Sequence, residues 1–217
     1  MSASGFIASL VSRASDDRAA PAELGAAADI ELERARTLAL QARAGDPSAV
    51  QRLVVLVAPV VLRSVRLVLG PKSGDHEDAT QQALMAFVLS LPGFRGDCHP
   101  SGYASRIAVH TALSWRRRLA RSRAVAREAD AIAAARDGQQ SARDDAGAAA
   151  YQRRCVRDLL DRLPAEQAEI MALHVVLGYS LPEVARSTAV SLNTVKSRLR
   201  LAKQALRREL ESECPTS

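Results

Sequence analysis

The 217-residue chain is 47% hydrophobic but only 3% aromatic, and it carries a formal net charge of +6. Ala, Leu and Val supply most of the apolar content, which favours helices over a large sheet, so an all-α protein is expected. The positive surplus permits an anionic partner without requiring one, so the placement of the charges has to decide.

Cys98, Cys155 and Cys214 are odd in number and form no CxxC pair. This argues against a disulfide scaffold or a zinc knuckle and fits a reducing cytoplasm. Cys98 and His99 are adjacent, but two ligands do not make a metal site. No apolar run approaches the length that crosses a bilayer. The FIASLV patch is too short for a signal peptide and follows no basic residue, so no membrane insertion and a cytoplasmic location are expected.

Residues 1–28, rich in Ala, Ser and Asp, read as a disordered extension. The pattern ADIELERARTLALQARA predicts a first helix ending at Gly45. Asp46-Pro47 opens a long helix as N-cap and first residue. Its stripe is Val50, Leu53, Val54, Val57, Val61, Val65 and Val68, and Pro59 is expected to bend or break it. A third helix starts near Asp75, which can cap it, and buries Ala83, Leu84, Phe87, Val88 and Leu91.

FRGDCHPSG (94–102) is a loop by its Gly and Pro content. A fourth helix is predicted from about Tyr103 to Arg118. Periodicity then fades, and residues 119–150 read as a flexible linker. Its start carries Arg116, Arg117, Arg118, Arg121, Arg123 and Arg127 with no acid among them, and its second half is acidic. A second compact unit follows from 151 to 212. Val156, Leu159, Leu160 and Leu163 form one helix, and Ile170, Leu173, Val176 and Leu177 another.

Ser180-Leu181-Pro182-Glu183 is a capping box. After the turn STAV, Ser191 caps a helix whose buried face is Val195, Leu199, Ala202 and Leu206. The other face carries Asn193, Thr194, Lys196, Ser197, Arg200 and Lys203, with Arg198 on the flank. Residues 191–208 contain no acid, whereas a merely solvated helix mixes signs for i,i+4 pairing. Two helices joined by so short a turn, the second basic, are a helix-turn-helix. Its N-terminus and hydroxyls suit phosphate, and its Asn, Lys and Arg suit base edges.

LLDRLPAEQAEIMALHVVLGYSLPEVARSTAVSLNTVKSRLRLAKQALRREL resembles region 4 of the extracytoplasmic-function (ECF) sigma factors of bacterial RNA polymerase. Alone, it also suits the DNA-binding end of a response regulator. DHEDATQQALMAFVLSLPGFRGD resembles region 2 of the same family, and YASRIAVHTALSWRRR resembles the helix that follows it there. Two regions in the right order make the joint resemblance more specific than either part. It divides the chain into a region 2-like domain (29–118), the linker (119–150) and a region 4-like domain (151–212). The pattern is broken where Ala189 stands for the usual turn glycine, Tyr103 for the commoner Trp, and Pro100-Ser101-Gly102 for a more helical lead-in.

The resemblance implies an alternative sigma factor, with core RNA polymerase and promoter DNA as partners and an anti-sigma factor as an expected further one. It implies polymerase contacts by Asp75, Asp78, Gln81, Gln82 and Met85, on a polar, partly acidic face suited to a basic protein surface. Downstream promoter contacts fall to Phe94, Arg95, Asp97, Arg106, His110, Ser114 and Arg117. Among the aromatics, Phe94, Tyr103 and Trp115 are stacking candidates, and core roles are favoured for Tyr103 and Trp115. The acidic half of the linker is suited to mimic nucleic acid in the polymerase channel.

No phosphate-cradling glycine loop, zinc motif or nucleophile–base pair is present, so neither an enzyme nor a cofactor is expected. Two other readings remain: a helix-turn-helix regulator acting on duplex DNA without polymerase, and an adaptor that mimics a sigma factor to sequester a regulator.

Overall fold

The computed structural model describes residues 25–70, 73–133, 157 and 160–213. Its elements run in the order α1 (Gly25–Arg43), α2 (Pro47–Leu69), α3 (His76–Ser90), a 3₁₀ turn (Leu91–Gly93), α4 (Pro100–Ala133), α5 (Ala165–Met171) continued by a π turn (Ala172–Val176), α6 (Leu181–Thr188) and α7 (Leu192–Glu213). No strand occurs among the described residues. The architecture is all-α, as expected.

The stripe on α2 builds the first module. Ala49, Leu53, Val57, Val61, Val65 and Val68 are fully buried, with α1, α3 and α4 packed around them. Asp46 caps α2 by accepting from the Ser48 amide at 2.9 Å, and Gly70 ends it at φ +90. Pro59 does not break the helix, which runs unbroken to Leu69. The reason is its position: Pro59 lies on the solvent side, and the carbonyl it frees belongs to Val55, which is 69% exposed. α3 buries Ala79, Ala83 and Phe87, with Leu91 beyond it. Asp75 stands at its N-cap position but makes no side-chain cap bond, because its carboxylate accepts from the Ser73 hydroxyl at 3.1 Å.

The fourth helix differs at both ends. It begins at Pro100, where the ring's fixed φ suits a first turn, and it continues to Ala133 instead of stopping at Arg118. Residues 119–133 hold few large apolar side chains (Leu119, Val125 and Ile132) but are rich in Ala and Arg, which propagate a helix once one is nucleated. The rest of the expected linker, residues 134–150, lies outside the described residues, as do residues 1–24, Val156 and Leu159.

In the second module Leu160, Leu163, Ile170, Leu173, Val184, Val195, Leu199, Ala202 and Leu206 are buried together. The capping box is formed: the Ser180 hydroxyl accepts from the Glu183 amide, and Glu183 accepts the Ser180 amide at 2.8 Å. Ala189, which stands where glycine is usual, takes the left-handed conformation at φ +56, a strained one for a residue with a Cβ.

The two modules do not stand apart. Their buried residues form one continuous apolar cluster, and α4 packs on α5, the π turn and α6. Polar links lock the seam. Arg116 grips Asp161 with two bonds (2.8 and 2.5 Å) and donates to the Arg157 carbonyl at 3.0 Å. The Ser105 and Tyr179 hydroxyls meet at 2.8 Å.

Candidate nucleic-acid interface

α7 is positioned by its buried stripe and by Ser191, whose hydroxyl accepts the Thr194 amide at 3.1 Å. With Val195, Leu199 and Ala202 turned inward, Ser191, Asn193, Lys196, Ser197 and Arg200 are exposed. Thr194, Arg198 and Lys203 are half-buried. Burial first, and the neighbouring Arg207 second, hold the Lys203 ammonium below its usual pKa. Arg198 pairs with Glu166, in the first turn of α5.

The downstream set divides into three. Arg95, Asp97 and His110 are exposed. Arg106, Ser114 and Arg117 are half-buried, and two of them are engaged across the seam: Arg106 with Glu169 at 3.1 Å, and Arg117 with the Leu163 carbonyl at 3.3 Å. Phe94 does not stand as a stacking surface. Its ring is 2% exposed and lies 5.2 Å from the tilted Tyr103 ring, because the Leu91–Gly93 turn directs it into the core. Tyr103 is half-buried against that core and donates to the Ser90 carbonyl at 3.2 Å. Trp115 is half-buried with the Arg118 guanidinium 4.8 Å from its ring centre.

Of the proposed polymerase-contact set, Asp78, Gln81, Gln82 and Met85 are exposed along one face of α3, which Leu89 extends at 79% exposure. Gln82 accepts from Arg118 at 3.1 Å, and Asp75 is half-buried. Met85 is 59% exposed on the same face.

Sequence reasoning missed two acids of α5, one of which reaches across the seam. Glu166 and Glu169 lie three apart on α5, so both fall on one face, and each takes an arginine already assigned to DNA. Their i,i+3 spacing was visible, but their partners lie far off in sequence. Between α1, the 94–102 loop and α6 runs an open cleft of about 910 Å³, lined among others by Arg36, Cys98, His99, Glu183 and Arg186. Burial, and then the Asp97 carboxylate, push the Cys98 thiol pKa up, with Arg186, Arg106 and Arg36 opposing.

The family description Sigma-70 region 2 matches residues 53–122, and Sigma-70, region 4 matches residues 153–206; together they span more than half of the chain. Among curated relatives, the ECF RNA polymerase sigma factor SigD of Mycobacterium tuberculosis is 28% identical over 199 residues, covering 87% of this chain and 89% of that protein. SigM of the same species is 32% identical over 138 residues, covering 64% and 65%. Among solved structures, CnrH in complex with the cytosolic domain of CnrY is 22% identical with a TM-score of 0.49, covering 83% of this chain and 99% of that one. RpoE in complex with the anti-sigma factor NepR from Bartonella quintana is 21% identical with a TM-score of 0.43, covering 74% and 96%.

The chain belongs to the sigma-70 family, in its extracytoplasmic-function class. It is an alternative RNA polymerase sigma factor, and the reading as a free-standing duplex-DNA regulator is not favoured. Sigma factors are in general non-catalytic regulatory subunits.

Proposed function

We propose that this chain performs no chemistry of its own and works in the cytoplasm by gripping a promoter at two places while bound to core polymerase. Asp78, Gln81, Gln82 and Met85, with Asp75 at the start of the helix, dock α3 on the polymerase. α7 enters the major groove of the upstream element with Asn193, Lys196, Ser197 and Arg200, while Ser191, Thr194, Arg198 and Lys203 follow the phosphates. Arg95 and Asp97 of the loop, with Arg106, His110, Ser114 and Arg117 of α4, capture unpaired bases of the downstream element. Unstacking those bases costs free energy, which the phosphate contacts and the loop offset. Phe94 serves from inside, as the anchor of the loop.

The observation that carries this reading is the face of α7. Its exposed Asn193, Lys196 and Arg200 stand within the first three turns of a capped helix that is fixed by four buried apolar residues.

The seam adds a step. Arg106 and Arg198 are held by Glu169 and Glu166, so carboxylates occupy cations intended for phosphate. Joining core polymerase parts the modules and frees Arg106 from Glu169, while Arg198, whose partner Glu166 lies in its own module, is released when a phosphate displaces that carboxylate. An anti-sigma factor, which the family resemblance implies, would keep the modules together. The test is run-off transcription with purified core polymerase on genomic promoter fragments, using the parent chain, Arg200→Ala and Asp78→Ala. The parent is expected to direct discrete start sites, with Arg200→Ala losing promoter selection and Asp78→Ala losing polymerase affinity. Equal behaviour of all three would overturn the residue assignment, and no polymerase complex at all would return the duplex-DNA regulator.

A further inference from the structure

The 94–99 loop is held from outside the matched region. Arg36 on α1 donates to the Gly96 carbonyl at 2.5 Å, and Arg43 on the same helix donates to the Phe94 carbonyl at 3.2 Å. The two arginines are seven residues apart, two helical turns, so they fall on one face. Ala35, Ala39 and Ala42 on α1 are all buried, and their small side chains let the helix lie close enough for both arginines to reach. The loop meets them halfway. Gly96 sits at φ +80, a conformation that L side chains rarely adopt, which turns its carbonyl toward Arg36. The Phe94 amide donates to Leu91 at 3.0 Å, and its ring is buried.

With two alternate carbonyls pinned inward, the side chains alternate as well. Phe94, Gly96 and Pro100 are buried, while Arg95, Asp97 and His99 are exposed. A loop of this composition would otherwise sample many conformations, whose entropy would be lost when the loop is fixed on binding. The two guanidiniums fix it before the DNA arrives.

We propose that Arg36 and Arg43 are positioning residues for downstream promoter recognition: they hold the 94–99 backbone so that Arg95 and Asp97 present a fixed edge to the unpaired bases. Both lie before residue 53, where the region 2 match begins. The inference rests on the reading that this loop is the downstream reader. Glu33, 3.9 Å from Arg36 but 72% exposed, is a weak competitor for the same guanidinium.

A purely structural role would weaken every activity alike, whereas positioning acts on base discrimination. The experiment uses the full chain with core polymerase. Run-off is measured on a promoter recovered from genomic fragments and on single-base variants of its downstream element. Arg36→Ala and Arg43→Ala are each expected to cut discrimination between best and worst base about fivefold, and the double variant about 20-fold. Core affinity should stay within about twofold, since no polymerase-facing residue is touched. Arg36→Lys and Arg43→Lys, which keep a donor, should restore part of it. Uniform loss on all promoters together with a lowered Tm overturns the proposal, as does unchanged discrimination. Arg95→Ala and Asp97→Ala separate the two layers. If these flatten discrimination and the α1 variants do not, only the positioning role fails. If none of the four does, the loop is not the reader and both readings fall.

Discussion

The two surfaces proposed to read DNA stand in different states. On α7, Asn193, Lys196 and Arg200 face solvent, and nothing needs to move for them to meet a groove. On α4, Arg106 and Arg117 are turned into the seam with the second module, and only Arg95, Asp97 and His110 of the downstream set are exposed. The same short helix, α5, reaches one arginine of each surface through Glu166 and Glu169. The difference teaches where the control lies. On the proposed reading, upstream recognition is built in, while downstream recognition has to be uncovered.

The largest effect that can break this comparison is expected upstream. Arg200→Ala should cost about 2 kcal/mol, roughly 30-fold, in binding to the upstream element, read by fluorescence anisotropy with the duplex alone. No loss would mean that the open surface is not a reading surface. Next comes the partner thought to uncover the closed one. Asp78→Ala with Met85→Ala should lower core affinity about tenfold, measured by titration of labelled polymerase, without altering duplex binding. Loss of duplex binding as well would show that the α3 face is not a separate site.

A smaller change sharpens the asymmetry itself. Glu166→Gln with Glu169→Gln should leave upstream specificity intact and raise nonspecific affinity of the free chain for single-stranded DNA about threefold, because two cations become available. It should also cost about 1 kcal/mol of stability, measured by thermal melting, since Glu169 is only 13% exposed and Arg106 loses its partner. Unchanged affinity would show that the seam does not mask the downstream surface.

Ala189→Gly should stabilise the open module by about 0.5–1 kcal/mol, read as a few degrees in Tm, because glycine adopts φ +56 without the clash that alanine suffers. Smallest of all is the chemistry of Cys98. Its raised pKa means less thiolate than an ordinary cysteine at any pH near neutrality. Alkylation monitored at that residue should therefore be slow, and should keep accelerating as pH rises past the usual thiol range. Arg186 of the second module opposes that rise, and with Glu183 it lines the cleft beside Cys98. Parting the modules should change the alkylation rate.

Much of this was legible from local pattern. The buried stripe Leu53–Val68, the Ser180–Glu183 box, the strained Ala189 turn and the apolar face of α7 all arise within one or two helical turns, where spacing and capping decide. What escaped was non-local. That Phe94 turns inward depends on Tyr103 and on the turn before it. The run of α4 to Ala133 depends on nucleation by its packed first half, since its last turns carry no apolar stripe of their own. The pairing of Arg106 and Arg116 with acids from the other module, and of Arg198 with Glu166 inside its own, joins residues 32 to 63 positions apart, which no periodicity can announce. Pro59 was read by residue type alone, and its effect was decided by the exposed side on which it fell.

Footprinting of a promoter with the reconstituted polymerase, combined with permanganate probing of unpaired thymines, is the most direct measurement. The account predicts two separate protected patches, an upstream one that Arg200→Ala erases and a downstream one containing reactive thymines, with the free chain protecting at most the upstream patch. A single patch that is the same with and without polymerase, and holds no unpaired base, would contradict it.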